Sequence, residues 1–357
     1  MSDTRLPSKI LLVLGMHRSG SSALTRSLSL LGYGLPKTLI KDNTSNRRGH
    51  WESQPLARLN DNYLKQADLV WSDWVSGHLA RMRVADRDAF QEDLLSLIGD
   101  EFAAGQPAVI KDPRICRLIP SYRAAFSERV PMQAVVVIRN PLEVIASLVR
   151  RNNMTESNAG LLWLRYMLDA VVDSDGLPRA FIAYDQLVDD PATALKGIEK
   201  ALDASFPAPI DHVLPEIEGL LSKGLQNHDH SSEEVIHHDL THGWISDTYA
   251  ALRLLTRDAT ASEPLESIAR VKKQTRMAEP MLGYIVKAYD DQLRELRRRA
   301  SSLSASVDLK TEQVRLLRDA LNERDEKIER MRQKKLDAPV KLARKGLRRL
   351  FSSQKAT

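Results

Sequence analysis

The stretch from Lys9 to Gly32, KILLVLGMHRSGSSALTRSLSLLG, constrains the fold of this chain more than any other. Ile10 to Leu14 is an unbroken apolar run, as in a strand buried on both faces, and Gly15 ends it. Met16 to Ser22 is mostly small and polar, after which Ala23, Leu24, Leu28 and Leu31 return at helical spacing. The pattern predicts strand, tight loop, helix. Gly15 and Gly20 leave room for backbone to wrap an anion, which the helix-start N–H groups and the Ser21 and Ser22 hydroxyls would face.

A nucleotide triphosphatase loop keeps this glycine spacing but follows the second glycine with Lys and then Ser or Thr. Here Ser21 stands in the place of the Lys, and the basic groups come earlier, at His17 and Arg18. Phosphoryl transfer from a triphosphate needs that charge and a magnesium-binding Asp at a strand end, and neither is evident. A donor with fewer phosphates and no obligatory metal fits better.

Two further apolar runs read as buried strands: Ala108 to Ile110, leading into Lys111-Asp112-Pro113-Arg114, and Ala134 to Ile138, leading into Arg139-Asn140-Pro141 and a helix from about Leu142. Ligands of open parallel sheets gather at the carboxyl ends of strands, so Lys111, Asp112, Arg114 and Arg139 are candidates for the site. An equally simple reading pairs Lys111, Asp112 and Arg114 with one another. Arg139 can grip a phosphate with its fork while Ser147, eight residues on, adds a hydroxyl. Pro55 to Leu69 and Ala159 to Val172 read as amphipathic helices, Ala180 to Tyr184 as a fourth strand, and Pro191 to Leu202 as a helix.

Arg18-Ser19-Gly20-Ser21-Ser22 after a buried strand resembles the 5'-phosphosulfate-binding loop of sulfotransferases that use 3'-phosphoadenosine-5'-phosphosulfate (PAPS), especially a bacterial-type branch. The resemblance spans about residues 9 to 285 and implies an α/β fold: a P-loop-like parallel sheet flanked by helices. It implies donor binding by Gly15, Arg18, Ser19, Gly20, Ser21 and Ser22 at the 5' end and by Arg139 and Ser147 at the 3'-phosphate. It also implies a base after the loop, in Gly49-His50-Trp51-Glu52, where Glu52 leads and His17, His50 and Asp112 follow. Arg18 and His17 join Glu52 as catalytic candidates; His50, Trp51, Lys111, Asp112 and Arg114 are placed beside the acceptor or behind the site. Glu52 has a competing role as an ion-pair partner of Arg18. The transfer needs no metal, and the His-rich stretch Gln226 to His230 with His237 and His238 reads as a closing loop rather than a metal centre.

The single cysteine, Cys116, excludes an internal disulfide framework and suits a reducing compartment, where it reads as a small buried hydrophobe. No apolar run reaches the roughly 18 residues of a membrane span, and MSDTRLPSK lacks a signal-peptide layout. The expected location is cytoplasmic. Net charge is +5, yet Gln333 to Thr357 holds eight basic residues against Asp337 alone. The rest of the chain is slightly acidic, which argues against nucleic acid as a partner.

From about Tyr289 a heptad pattern sets in. The two core positions of six heptads, running from Leu293 to Met331, are apolar in ten of twelve cases, with Lys310 and Arg324 the exceptions. This predicts a coiled coil over 293–331 and a homo-oligomer, with a parallel dimer preferred. Pro339 is read as starting a last helix over 339–351, apolar on one face and basic on the other, suited to the inner membrane surface. The expected organisation is a tail over 1–8, a transferase domain over 9–285, a coiled coil over 286–332 and a basic tail over 333–357. The acceptor suited to that location is a hydroxyl of a carbohydrate or glycolipid. The rival readings are a nucleotide-dependent kinase or NTPase, and a non-catalytic scaffold.

Overall fold

The computed structural model describes residues 5–40, 49–77, 79–222 and 232–353. Two compact units compose it, Met1–Asp290 and Asp291–Thr357. In chain order the elements are β1 (Lys9–Leu14), α1 (Ser21–Leu30), α2 (Gln54–Gln66), α3 (Val84–Glu101), β2 (Pro107–Lys111), α4 (Ile115–Phe126), β3 (Met132–Ile138) and α5 (Pro141–Asn152). There follow α6 (Glu156–Asp173), β4 (Arg179–Ala183), α7 (Tyr184–Asp189), α8 (Pro191–Leu202), α9 (Ile210–Ser222), α10 (Ser232–His237), α11 (Trp244–Leu255) and α12 (Ser262–Ser353). The protein is α/β, with four parallel strands flanked by helices and a long C-terminal helix, consistent with a P-loop-like fold.

The sheet runs β2-β1-β3-β4, all parallel, with Val13 beside Lys111 and Leu14 beside Val136. β1 is central, and its two faces feed two cores. Ile10, Leu12 and Leu14 point to one that includes Leu94, Ile119, Leu148 and Trp163, while Leu11 and Val13 point to one with Leu24, Leu28, Ile198 and Ile217. This two-sided burial is why the strand reads as a continuous apolar run rather than an alternating one. The connection from β1 leads to β2 on one side and that from β3 leads to β4 on the other. The carboxyl ends of β1 and β3 therefore form a switch point, where open parallel sheets bind ligands.

The structure departs from the sequence reading at three places. Tyr184 does not end β4 but starts α7, because β4 stops at the register limit Ile138–Ala183. α3 and α4, unread above, cover the first core with Phe90, Leu94, Ile98, Tyr122 and Phe126. Pro339 starts no new helix, since α12 continues through it to Ser353. At an exposed site, a carbonyl released by proline's missing N–H is hydrated rather than orphaned. Side chains beyond 345 lie outside the described residues, as does the Gln226 to His230 segment.

Candidate functional site

The turn from β1 into α1 sits at the switch point. Gly20 caps α1 in a left-handed conformation (φ 88°), and a Cβ there would lie 2.1 Å from the Tyr184 ring. Only glycine fits. At Gly15 (φ 150°) a Cβ would meet the Val137 carbonyl oxygen at 2.8 Å. Arg18 is itself left-handed (φ 73°), a costly conformation for a residue with a side chain, of the kind that collects at functional sites. The loop is anchored from below by Cys116, whose Sγ accepts the Gly15 N–H at 3.1 Å. Burial pushes that thiol up to about 12, so it acts as a neutral anchor.

Polar atoms of this loop remain without a protein partner. Ser19 is fully buried and its Oγ makes no hydrogen bond, and neither does the buried Nε2 of His17. Such orphans are rare and mark strain or a missing ligand. Arg18 Nε donates to Ser147 Oγ at 3.0 Å, and Arg139 Nη1 donates to the Arg18 carbonyl at 3.1 Å. Arg139 also pairs with Glu143 at 2.6 Å and lies 4.9 Å over the Tyr184 ring. Arg139 and Ser147, read from the sequence as a pair, both bond to Arg18. Burial lowers the pKa of Arg18, and the charges of Arg151, Arg139 and Arg150 lower it further. Guanidinium groups crowded in this way favour an anion among them.

The lysine missing from the loop is supplied by another strand. Lys111, the last residue of β2, is buried and donates from Nζ to Ser22 Oγ at 3.1 Å, to the His50 carbonyl at 3.0 Å and to Glu52 Oε1 at 2.5 Å. Glu52 therefore pairs with Lys111 rather than Arg18. Burial raises its carboxyl above the usual range, against the opposing pull of Lys111. Asp112 and Arg114 bond to each other and to α2. Asp112 accepts from Asn60 Nδ2 at 2.9 Å and from Arg114 at 2.8 Å, and Arg114 pairs with Asp61 at 2.6 Å. Trp51 stacks under Arg26 at 5.1 Å.

The His17 ring lies 4.6 Å from Trp71 and 5.9 Å from Tyr166. Burial, with Arg114 and Lys111 next in order, holds His17 well below its ordinary value, so its imidazole is neutral near pH 7. The Trp71 segment is tied down from behind. Tyr166 Oη donates to the Trp71 carbonyl at 2.7 Å, Arg117 donates to the carbonyls of Asp73 and Val75, and Glu279 of α12 accepts from the N–H and the hydroxyl of Ser76. Glu279 is further paired with Arg165 at 3.4 Å. Among the described residues, no group of three or more His, Cys, Asp and Glu is placed to hold a metal ion.

The solved structures similar to this chain include two sulfotransferase domains. The sulfotransferase domain of the Synechococcus PCC 7002 olefin synthase is 17% identical, with a TM-score of 0.36, covering 76% of this chain and 97% of that one. The sulfotransferase domain of the curacin biosynthetic pathway is 17% identical, with a TM-score of 0.35, covering 76% and 98%. No family model matches the chain, and no curated protein matches it.

The sequence reading missed the roles of Cys116, Tyr184, Trp71 and Glu279. For Tyr184 a signal existed: an aromatic residue at a strand end, where the sheet meets its ligand. For the others it did not, because each acts through a contact made across the fold.

Proposed function

We propose that this chain is a sulfotransferase that moves the sulfuryl group of PAPS to an acceptor hydroxyl. The observation that carries the reading is the glycine-bounded turn of Gly15 to Ser22 at the start of α1. Its buried Ser19 hydroxyl lacks a protein partner, Arg139 bonds to its Arg18 carbonyl, and the charges of Arg139, Arg150 and Arg151 act on the Arg18 guanidinium. In the reaction the acceptor oxygen attacks sulfur in line. An O–S bond forms, the bond from sulfur to the 5'-phosphate oxygen breaks, and 3',5'-ADP leaves with the bonding pair.

The N–H groups at the start of α1, the Ser21 and Ser22 hydroxyls and the Lys111 ammonium stabilise charge on the departing phosphate. Arg18 joins them at the departing 5'-phosphate, and Arg139 and Ser147 are assigned to the 3'-phosphate. Glu52 takes the acceptor proton, its carboxyl made more basic by burial and oriented by its bond to Lys111. Neutral His17, with its orphaned Nε2, is the second candidate for that proton.

The acceptor class proposed is a carbohydrate or glycolipid hydroxyl, reached in the cytoplasm at the inner membrane surface. The support is the chain's basic C-terminal end; no helix among the described residues is long and apolar enough to cross a membrane. A homo-oligomer through 293–331 is proposed as well, because the heptad seam there is exposed.

Lys111 beside Ser22 also favours a second reading, a magnesium-dependent kinase or NTPase, by restoring a lysine to the loop. Titration calorimetry with 3',5'-ADP and with ATP plus magnesium, on the wild type and Arg139→Ala, separates the two. Tight 3',5'-ADP binding that is lost in the variant, with negligible ATP binding, is the expected result. Magnesium-dependent ATP binding in its place overturns the sulfotransferase reading.

A further inference from the structure

The seam of α12 in the second unit is bare. Leu296, Leu303, Leu317 and Leu321 are 60%, 67%, 66% and 52% exposed. A helix with one apolar seam hides it against another helix. The oligomer reading above names a second copy as that helix, and the following inference rests on it but not on sulfuryl transfer. We infer that two copies pair antiparallel over 293–331, centred on Glu312.

Lys310 and Arg324, the charged residues of the seam, decide the orientation. In a parallel, in-register dimer each core position meets itself. Lys310 would then face Lys310 of the second copy, and Arg324 would face Arg324, placing two like-charge layers in an apolar core. Turning one helix around removes both clashes. In the antiparallel register that overlaps all six heptads, Arg324 lies opposite Ala300 of the second copy. Ala300 is the smallest residue of the seam and leaves the long Arg stem room to reach water. Lys310 lies opposite Val314, and every other layer joins two apolar residues.

The flanks disfavour only the parallel arrangement. Antiparallel pairing brings Arg297 beside Asp325 of the second copy, an opposite-charge contact made twice by symmetry. On the other side Arg299 meets Lys327, a like-charge contact also made twice, so the two antiparallel flanks offset each other. Parallel pairing offers no opposite-charge contact on either flank and sets Lys327 beside Arg332. Flanking charges of this kind set orientation in paired helices. The parallel dimer expected from the apolar pattern alone therefore gives way to an antiparallel one.

The test uses the full chain, whose one native thiol, Cys116, is buried. Three variants are made at exposed helix positions: Ala300→Cys, Arg324→Cys and the double variant. On one helix positions 300 and 324 are about 36 Å apart, so any disulfide in the double variant joins two copies. Sedimentation of the wild type at tens of micromolar is expected to give a dimer. Mild oxidation is expected to give a covalent dimer with the double variant and with neither single variant. Ready cross-linking of either single variant overturns the orientation while leaving the dimer standing. A dimer that cross-links in none of the three overturns the register, and a monomeric wild type overturns the second copy as occupant.

Discussion

Lys111 Nζ lies 2.5 Å from Glu52 Oε1, two buried side chains separated by 59 residues of sequence. The contact puts a cation at the start of α1 and a carboxylate at the edge of the same turn. Removing one member leaves the other buried and uncompensated. Lys111→Met should destabilise the fold by about 3–5 kcal/mol. The double variant Lys111→Met with Glu52→Gln should recover most of that loss. Denaturant unfolding of the three proteins checks this, and a neutral single variant would show that the pair does not brace the loop.

Glu52→Gln by itself keeps an oxygen for Lys111 but removes the base. Turnover is expected to fall by about 10²–10⁴, the usual contribution of a positioned base, while 3',5'-ADP affinity changes little. Rates with labelled PAPS beside calorimetry give both numbers. Turnover at the wild-type level would eliminate Glu52 as the base and bring His17 forward.

Gly20→Ala tests the turn itself. The new methyl meets the Tyr184 ring at 2.1 Å on a backbone with φ 88°, so the loop must move. Nucleotide binding should be lost, with a stability cost of at least about 1–2 kcal/mol from the left-handed conformation. Adding Tyr184→Ala relieves the clash but not the backbone strain. Partial recovery of binding in the double variant would separate the two causes.

His17 makes stability depend on pH. Its pKa is lowered in the folded protein, by burial first, while the unfolded chain titrates near 6.5. Below about pH 6.5 the unfolded state takes up a proton that the folded state refuses. Stability is therefore present above that pH and falls as the pH drops, by up to about 1.4 kcal/mol per unit for this one group. His17→Phe should flatten that part of the profile. Thermal unfolding from pH 8 to 5.5 gives the comparison, and identical slopes would contradict the burial of a neutral imidazole.

Glu279 joins α12 to the segment that carries Trp71. Glu279→Gln should weaken its bond to Ser76 and its pairing with Arg165, raising amide exchange over residues 70–77 while leaving that of β1 unchanged. Hydrogen exchange followed by mass spectrometry reads both regions at once. Unaltered protection at 70–77 would mean that Tyr166 and Arg117 hold the segment unaided.

What was legible in the sequence follows from what is local. β1, its glycine loop and α1 are written in adjacent residues: an apolar run buried on two faces, a glycine that alone tolerates φ 88°, and helical spacing after it. Arg139 and Ser147 were legible because strand end and helix are contiguous. α4 was not, since Lys111 to Arg114 draws attention to its charges and Pro120 interrupts its pattern. The partner of Glu52, the anchor of Gly15 and the clamp on Ser76 lie 59, 101 and 203 residues away along the chain. Periodicity shows which face of an element is buried but not which element covers it. The sheet order β2-β1-β3-β4 decided those meetings, by setting the end of β2 beside that of β1 and so bringing Lys111 to Ser22.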